Sequence, residues 1–213
     1  QGKEELFESL SGECSHLYLA IDGVLVAVIA ITDPIREEAP QVVSMLRKCG
    51  LSKIVMMTGD SERTAEVVAA KVGVDEYYSE VLPEDKASYV EKEHQAGRKV
   101  IMIGDGVNDS PALSAADVGI AICDGAEMAR EIADITIAGD NLEELVTLKR
   151  LSNALVKRIH GNYRQIVGFN TGLILCGIGG VMQPATSALL HNTSTLAISV
   201  KSMKDLLSEK DEK

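Results

Sequence analysis

Apolar residues in this chain fall into short, evenly separated blocks whose spacing predicts most of its elements. Two β-rich runs, His16 to Ile21 and Val24 to Thr32, are joined by Asp22-Gly23. That dipeptide suits the positive backbone angles of a two-residue turn, so the pattern predicts a β-hairpin. Asp33-Pro34 then predicts a helix cap followed by proline in the first turn, with Glu37 and Glu38 next to it and Gly50 at the close. From there apolar strand-like runs (KIVMM at 53–57, KVIMI at 99–103, VGIAI at 118–122, DITIA at 134–138) alternate with helical patterns (61–73, 86–97, 110–116 and AEMAREIA at 126–133). Short unbroken apolar strands between helices predict an α/β fold: a parallel sheet with helices on both faces. In such sheets ligands bind at the carboxyl ends of the strands.

The end of the chain has a different pattern. From Gln165 to Val200 there is no Asp, Glu, Lys or Arg. A spanning helix needs about 20 largely apolar residues, range roughly 17–25, so two short crossings fit if flanking residues extend them. Lys157, Arg158 and Arg164 precede the span, and Lys201 and Lys204 follow it. Positive residues on both sides place both ends on the cytoplasmic side and predict a transmembrane helical hairpin, turning near Gly179-Gly180 and restarting at Pro184. On its second helix Ser187, His191, Thr195 and Ser199 recur at helical spacing with Ser194 beside them, a polar stripe that must face other helices or a pathway. For the hydroxyls, packing is the simpler reading; Asn170 and His191 are the candidates for an ion route. Gly168 and Gly172, spaced as GxxxG, predict close helix contact.

Composition narrows the function. The chain has 213 residues, with 32 acidic against 21 basic side chains and few aromatics. That balance argues against a nucleic-acid partner, which needs a basic face or stacking platforms. Cys14, Cys49, Cys123 and Cys176 are widely spaced and form no CxxC pair, which fits a reducing compartment without a disulfide framework or zinc knuckle. The chain opens at Gln1 with charged residues and no signal peptide, and is expected to be part of something longer.

Two strand ends carry similar chemistry. Thr58-Gly59-Asp60 follows KIVMM, and Gly104-Asp105-Gly106-Val107-Asn108-Asp109 follows KVIMI. Each offers a glycine that lets backbone approach a ligand, then hydroxyl or carboxylate groups. A hard cation such as Mg²⁺ takes one or two carboxylates plus phosphate oxygens and water, and Asp105 and Asp109 could supply them. Lys86, opening a helix in LPEDK, could place a point charge on a phosphoryl oxygen. Simpler roles exist: Asp60 and Asp109 each precede a helix and could cap it, the expected role for Asp60, and a lone lysine is usually solvated. A carboxylate between two glycines at a strand end, as at Asp105, has little structural purpose. The ordered set points to phosphoryl chemistry.

The order TGD, PEDK, GDGVNDSPAL resembles the phosphorylation domain of P-type ATPases, a branch of the haloacid dehalogenase superfamily, and IAITDPIREEA resembles the hinge at which the chain returns from the nucleotide-binding domain. The resemblance runs from about Leu17 to Met203. It implies an aspartyl phosphate made from ATP, Mg²⁺ at the phosphorylation site, and ion transport coupled to domain movement. Thr58 and Gly59 would bind the phosphoryl group, Lys86 would neutralise it, and Asp105 would hold Mg²⁺ with Asn108 and Asp109 completing the shell. Asp60 belongs to the same catalytic set.

One part of the family pattern is missing. The family's nucleophile is the aspartate of an Asp-Lys-Thr-Gly-Thr motif, and none occurs here. In LYLAIDGVL, Asp22 matches the second aspartate of the superfamily's first strand, but the first is Ala20, and the hairpin turn accounts for Asp22 without catalysis. The sheet is therefore expected to lack the central strand that carries the nucleophile, leaving its neighbours with unpaired edges. The hairpin ending in ALLHNTSTLAISVKSM resembles the heavy-metal class of these pumps. The HNTST stretch departs from the copper-type pattern of methionine with paired serines, which favours manganese, zinc or cobalt over copper.

The expected organisation is a hairpin remnant of the nucleotide-binding domain (1–32), a phosphorylation domain (33–155), a transmembrane hairpin (156–204) and a charged tail (205–213). The expected function is part of an ATP-driven transition-metal transporter in a bacterial plasma membrane, inactive alone. Its partners would be the lipid bilayer, the transported cation, and the pump's own nucleotide-binding domain, actuator domain and upstream helices. Two other classes compete. A soluble phosphatase of the superfamily needs its own nucleophile and no uncharged hairpin; a membrane-tethered Mg²⁺ or phosphate-binding module needs neither catalysis nor transport.

Overall fold

The computed structural model describes residues 15–31, 34–105, 108–122, 132–138 and 141–207. By internal contacts the chain divides into two compact units, Gln1–Val146 and Thr147–Lys213.

The first unit opens with the expected hairpin. Strands β1 (Ser15–Ile21) and β2 (Val24–Ile31) pair antiparallel around Asp22 at φ 50° and Gly23 at φ 79°, with a register shift between Leu19 and Ala20. Leu17, Leu19, Ile21, Val24, Val26 and Ile29 are all exposed. The strands pair only with each other among the described residues, and a lone two-stranded hairpin buries little apolar surface.

Helix α1 (Ala39–Lys48) begins later than the expected start at Pro34. Pro40 explains the correction. A helix begun at Pro34 would put the Pro40 ring against the Arg36 carbonyl and forfeit a hydrogen bond; with Glu38 as the N-cap, Pro40 falls in the first turn, where its missing N–H costs nothing. Asp33 lies outside the described residues. The helix ends at Cys49, and Gly50 takes φ 99°.

Next come β3 (Val55–Met57), α2 (Glu62–Val72), β4 (Glu76–Tyr78), α3 (Pro83–Gln95), β5 (Ile101–Gly104), α4 (Ser110–Ala115), β6 (Val118–Ile122) and β7 (Ile135–Ile137). β3 pairs parallel with β4, and β5, β6 and β7 pair parallel in that order. The parallel α/β pattern is as the sequence predicts, whereas the helix expected at 126–133 lies largely outside the described residues. β4 has no counterpart in the predicted elements, because three residues are too few to show a period. The described strands form two separate parallel sheets, and β3 and β5 are not paired with each other.

A small core nonetheless connects their tips. Met102 of β5 and Ala112 and Leu113 of α4 are buried, with Met57, Ala87, Ala116 and Ile132 packed against them. Ile101 and Ile103, on the other side of β5, stay exposed at 40% and 37%, so one face of this strand is open where burial on both was expected.

The opposite strand ends share another device. An aspartate immediately before each of three strands accepts an N–H from the neighbouring strand's start: Asp75 from Ile54 at 2.7 Å, Asp117 from Val100 at 2.8 Å and Asp134 from Gly119 at 2.8 Å. Each satisfies a backbone donor at the point where ladder pairing begins.

Helix α5 (Glu143–Ile178) begins with Leu145 and Val146 buried in the first unit and continues as the first helix of the second. A turn at 179–183 leads to α6 (Pro184–Ser202), with Gly180 at φ 67°, so the helical hairpin turns and restarts where expected. Arg158 donates to the carbonyls of Ser202 (3.0 Å), Lys204 and Asp205 (2.6 Å), and Asn162 donates to Ser202 Oγ at 2.7 Å. The Arg158 bonds occupy carbonyls at and just beyond the end of α6 that have no helical partners. Among the described residues no helix is long and apolar enough to cross a membrane: the charged first half of α5 and the hydroxyls of α6 dilute the apolar content. A Cβ placed at Gly168 or Gly172 meets nothing of this chain within 4 Å, so the two glycines are not used for contact between α5 and α6.

Candidate functional site

Each candidate residue of the first unit is next to, or within a turn of, a residue of the small core. Met57 immediately precedes Thr58, Ala87 follows Lys86, Met102 lies just before Gly104-Asp105, and Ala112 and Leu113 follow Asp109. Packing of that core thus brings β3, the start of α3, the end of β5 and the start of α4 together.

At the β3 tip, Thr58 is fixed by its backbone, donating to the Tyr78 carbonyl at 3.0 Å and accepting from Val81 at 2.9 Å. Its hydroxyl donates to Asp60 Oδ2 at 2.7 Å and accepts the Asp60 N–H at 3.1 Å. The expected cap role of Asp60 is therefore corrected. Ser61 is the N-cap of α2, and the Asp60 carboxylate orients the Thr58 hydroxyl instead. Gly59 has ordinary room, with Val81 O 3.9 Å from where a Cβ would sit.

Lys86 sits in the first turn of α3, which Pro83 opens and Asp85 steadies by accepting the Leu82 N–H at 3.1 Å. Its ammonium lies 2.6 Å from Asp109 Oδ1, and the two side chains are only 15% and 11% exposed. Asp109 occupies the N-cap position of α4 but makes no side-chain cap bond; its charge goes to Lys86. A buried carboxylate must be paired, and this one is.

Asp105 and Asn108 are exposed at the β5 tip, the Asn108 N–H reaching Asp105 Oδ1 at 3.3 Å. Gly106 and Val107 lie outside the described residues. Among the described residues no cluster of three or more His, Cys, Asp or Glu side chains could hold a metal ion. A two-carboxylate set of hard oxygen donors suits Mg²⁺, which keeps waters and shares a phosphate, and does not suit a resident transition metal.

In the second unit His191 Nδ1 lies 2.9 Å from Asn170 Oδ1, so the two candidates for an ion route meet. They line an open groove of about 720 Å³ with Leu173, Gly177, Met182 and Ser187. Thr193, Ser194, Thr195, Ser199 and Ser202 instead donate back to carbonyls of their own helix, a local arrangement that needs no ligand.

Sequence reasoning missed the three strand-start aspartates. Their signal was present as Asp before an apolar run in VDEYY, ADVGI and ADITI. Their environments are electrostatically strong. The Lys99 ammonium, then the Val100 N–H and His94, hold the Asp117 carboxyl far below the usual range. The Ile54 N–H, then Arg47, lower that of Asp75, and Arg98 lowers that of the buried Glu93.

The family model for haloacid dehalogenase-like hydrolases matches residues 1–117. The chain belongs to that family. Its relatives include a manganese-exporting P-type ATPase of Mycobacterium bovis, 43% identical over 88% of this chain and 26% of that protein. A zinc-exporting P-type ATPase of Mycobacterium marinum is 42% identical over the same shares. A copper-transporting ATPase of Rhizobium meliloti is 44% identical over 83% of this chain and 21% of that protein. The crystal structure of a zinc-transporting PIB-type ATPase in its E2.Pi state superimposes with a TM-score of 0.82 and 29% identity, covering 97% of this chain and 34% of that one. This haloacid dehalogenase-like chain thus spans about a quarter of the length of the curated relatives it matches. Those relatives are named for three different metals at similar identity, so overall similarity does not separate the metals.

Proposed function

We propose that this chain is the Mg²⁺- and phosphate-binding half of the phosphorylation site, with the final membrane helices, of an ATP-driven transition-metal transporter of the P-type ATPase class. The observation that carries the reading is the Lys86–Asp109 pair, held beside the TGD turn and the Asp105 tip by one core. Lys86 in the first turn of α3, Asp109 at the N-cap of α4 and Asp105 after β5 converge around that one core.

In this reading Lys86 exchanges Asp109 for a phosphoryl oxygen, as a point charge in a water-poor site. The Thr58 hydroxyl, oriented by Asp60, donates to a second oxygen, and the Gly59 backbone allows close approach. Asp105 holds the metal with Asn108 and Asp109; bound Mg²⁺ would supply charge neutralisation on the transferring group. The accepting aspartate comes from the upstream part of the pump, on a strand between β3 and β5. Support for that strand is the pairing pattern: β3 and β5 share a core yet are not bonded to each other. The match to a zinc-transporting ATPase over 97% of the chain takes in the α5–α6 hairpin. A striped helix such as α6 crosses a bilayer in the company of other helices, with its polar side facing them. Residues 156–204 are accordingly assigned to the membrane, 33–155 to the cytoplasmic phosphorylation domain, and 1–32 to the end of the nucleotide-binding domain.

The test is phosphorylation. Incubated with Mg²⁺ and labelled ATP, the chain alone takes up no acid-stable, hydroxylamine-sensitive label, and it contributes to a labelled pump once the upstream part is restored. Such a label on this chain alone would overturn the assignment of the nucleophile, and failure of the restored protein to label would overturn the site.

A further inference from the structure

We propose that Gly104 is a positioning residue whose missing side chain is the space that holds the Asp109 carboxylate against Lys86. The inference rests on the reading of that pair as the phosphate-binding charge. A Cβ built on Gly104 would lie 2.7 Å from Asp109 Cβ and 2.9 Å from its Cγ, and nearer still to Oδ2. Real Cβ atoms do not come that close to heavy atoms. Gly104 is not among the positive-φ glycines, so what the position demands is room and not an unusual backbone.

Neither side can easily retreat. Gly104 is the last residue of β5 and is in register with Ala121 of β6, which is fully buried. Asp109 leads into α4, anchored by Ala112 and Leu113 at 0% and 1% exposure. Turning the Asp109 side chain relieves the contacts to its Cγ and Oδ2 but not that to its Cβ, so the backbone at Asp109 must give as well, and either movement breaks the 2.6 Å contact with Lys86. The glycine of the other tip has no such duty, since a Cβ at Gly59 meets only Val81 O at 3.9 Å.

Lysine footprinting of the full chain by reductive methylation and mass spectrometry tests this directly. Lys86, 15% exposed, should label slowly beside Lys99, which is 87% exposed and serves as the internal reference. In Gly104→Ala the Lys86-to-Lys99 ratio should rise several-fold. The melting temperature should also fall for Gly104→Ala in the native background and stay unchanged when the same substitution is made on Asp109→Gly, which has neither Cβ nor carboxylate to displace. If Gly104→Ala fails to fold, the double variant should fold. An unchanged Lys86 ratio, or an equal loss of melting temperature in both backgrounds, would overturn the proposal. Neither readout uses phosphorylation or transport, so a failure of the pump reading would appear separately.

Discussion

The Lys86 ammonium and Asp109 Oδ1 lie 2.6 Å apart with both side chains largely withdrawn from water. Deleting one partner leaves the other charge with little solvent and no counterion. Breaking a buried pair from one side costs about 3–5 kcal/mol, and residual exposure puts this pair toward the lower figure. Lys86→Ala and Asp109→Ala should each lower the stability of the chain by that order in urea titration, and the two together should cost less than their sum. Strict additivity would mean the two charges do not depend on each other.

Asp105 and Asp75 make a contrasting pair. Asp105 is exposed at the tip of β5, where the proposed reading gives its carboxylate to Mg²⁺; Asp75 receives the Ile54 N–H at 2.7 Å and Arg47 at 2.8 Å at the other end of the sheet. In the complete pump, Asp105→Ala should abolish Mg²⁺-dependent phosphorylation and leave the melting temperature nearly unchanged. Asp75→Ala should lower the melting temperature and leave phosphorylation of the folded fraction intact. Phosphoenzyme yield and thermal melting measured on the same preparations check both, and equal phosphorylation losses would contradict the assignment.

What the sequence made legible follows from where its signals are local. The Asp22-Gly23 turn, the Gly73 helix end and the Gly179-Gly180 break are set by backbone chemistry of one or two residues, and each is where the pattern places it. The site motifs were legible because each follows an apolar strand. The start of α1 was misplaced because the signal at Pro34 is local while its veto, Pro40, acts one turn away. Asp109's partner was hidden because Lys86 is distant in sequence and only the Met102 core brings the two together. Asp75, Asp117 and Asp134 were passed over for the same reason: each aspartate serves a strand other than its own.

Asp117 gives the chain an acid-sensitive joint. Lys99 at 2.7 Å, the Val100 N–H and His94 surround its carboxylate and depress its folded-state titration below the unfolded value of about 3.9. A depressed carboxylate contributes stability above the unfolded value and loses it as pH falls through the folded one. Stability should therefore decline as pH drops below about 4, and Asp117→Asn should be less stable at neutral pH with a flatter acid limb. Denaturation midpoints between neutrality and strong acid provide the measurement; an unchanged limb would remove Asp117 from the account.

Gly119 tests the packing of α4 on β6. A Cβ there would meet the Leu113 carbonyl oxygen at 2.6 Å, and Leu113 is 1% exposed, with nowhere to move. Gly119→Ala should cost about 1–3 kcal/mol, the usual penalty of overpacking, and a neutral result in chemical denaturation would show that the helix can shift. Because Asp109 is the N-cap residue of α4, such a shift would also register in the Lys86 footprint.

His191 and Asn170 make the remaining cross-helix contact of interest, at 2.9 Å across a groove that hydroxyls of the same helix do not need. An imidazole and an amide oxygen are borderline donors that suit several divalent ions without selecting one. If the pair belongs to the ion route, His191→Ala and Asn170→Ala in the complete pump should reduce metal-stimulated ATP hydrolysis at least tenfold, while hydroxylamine-sensitive labelling from inorganic phosphate, which in the proposed reading uses the Thr58, Lys86 and Asp105 site with the upstream aspartate and not the ion route, persists. If the contact serves packing alone, His191→Asn would restore stimulation by preserving a hydrogen bond to Asn170. Restoration by that variant would remove the pair from the route, and loss of both activities together would place the defect in folding of the hairpin.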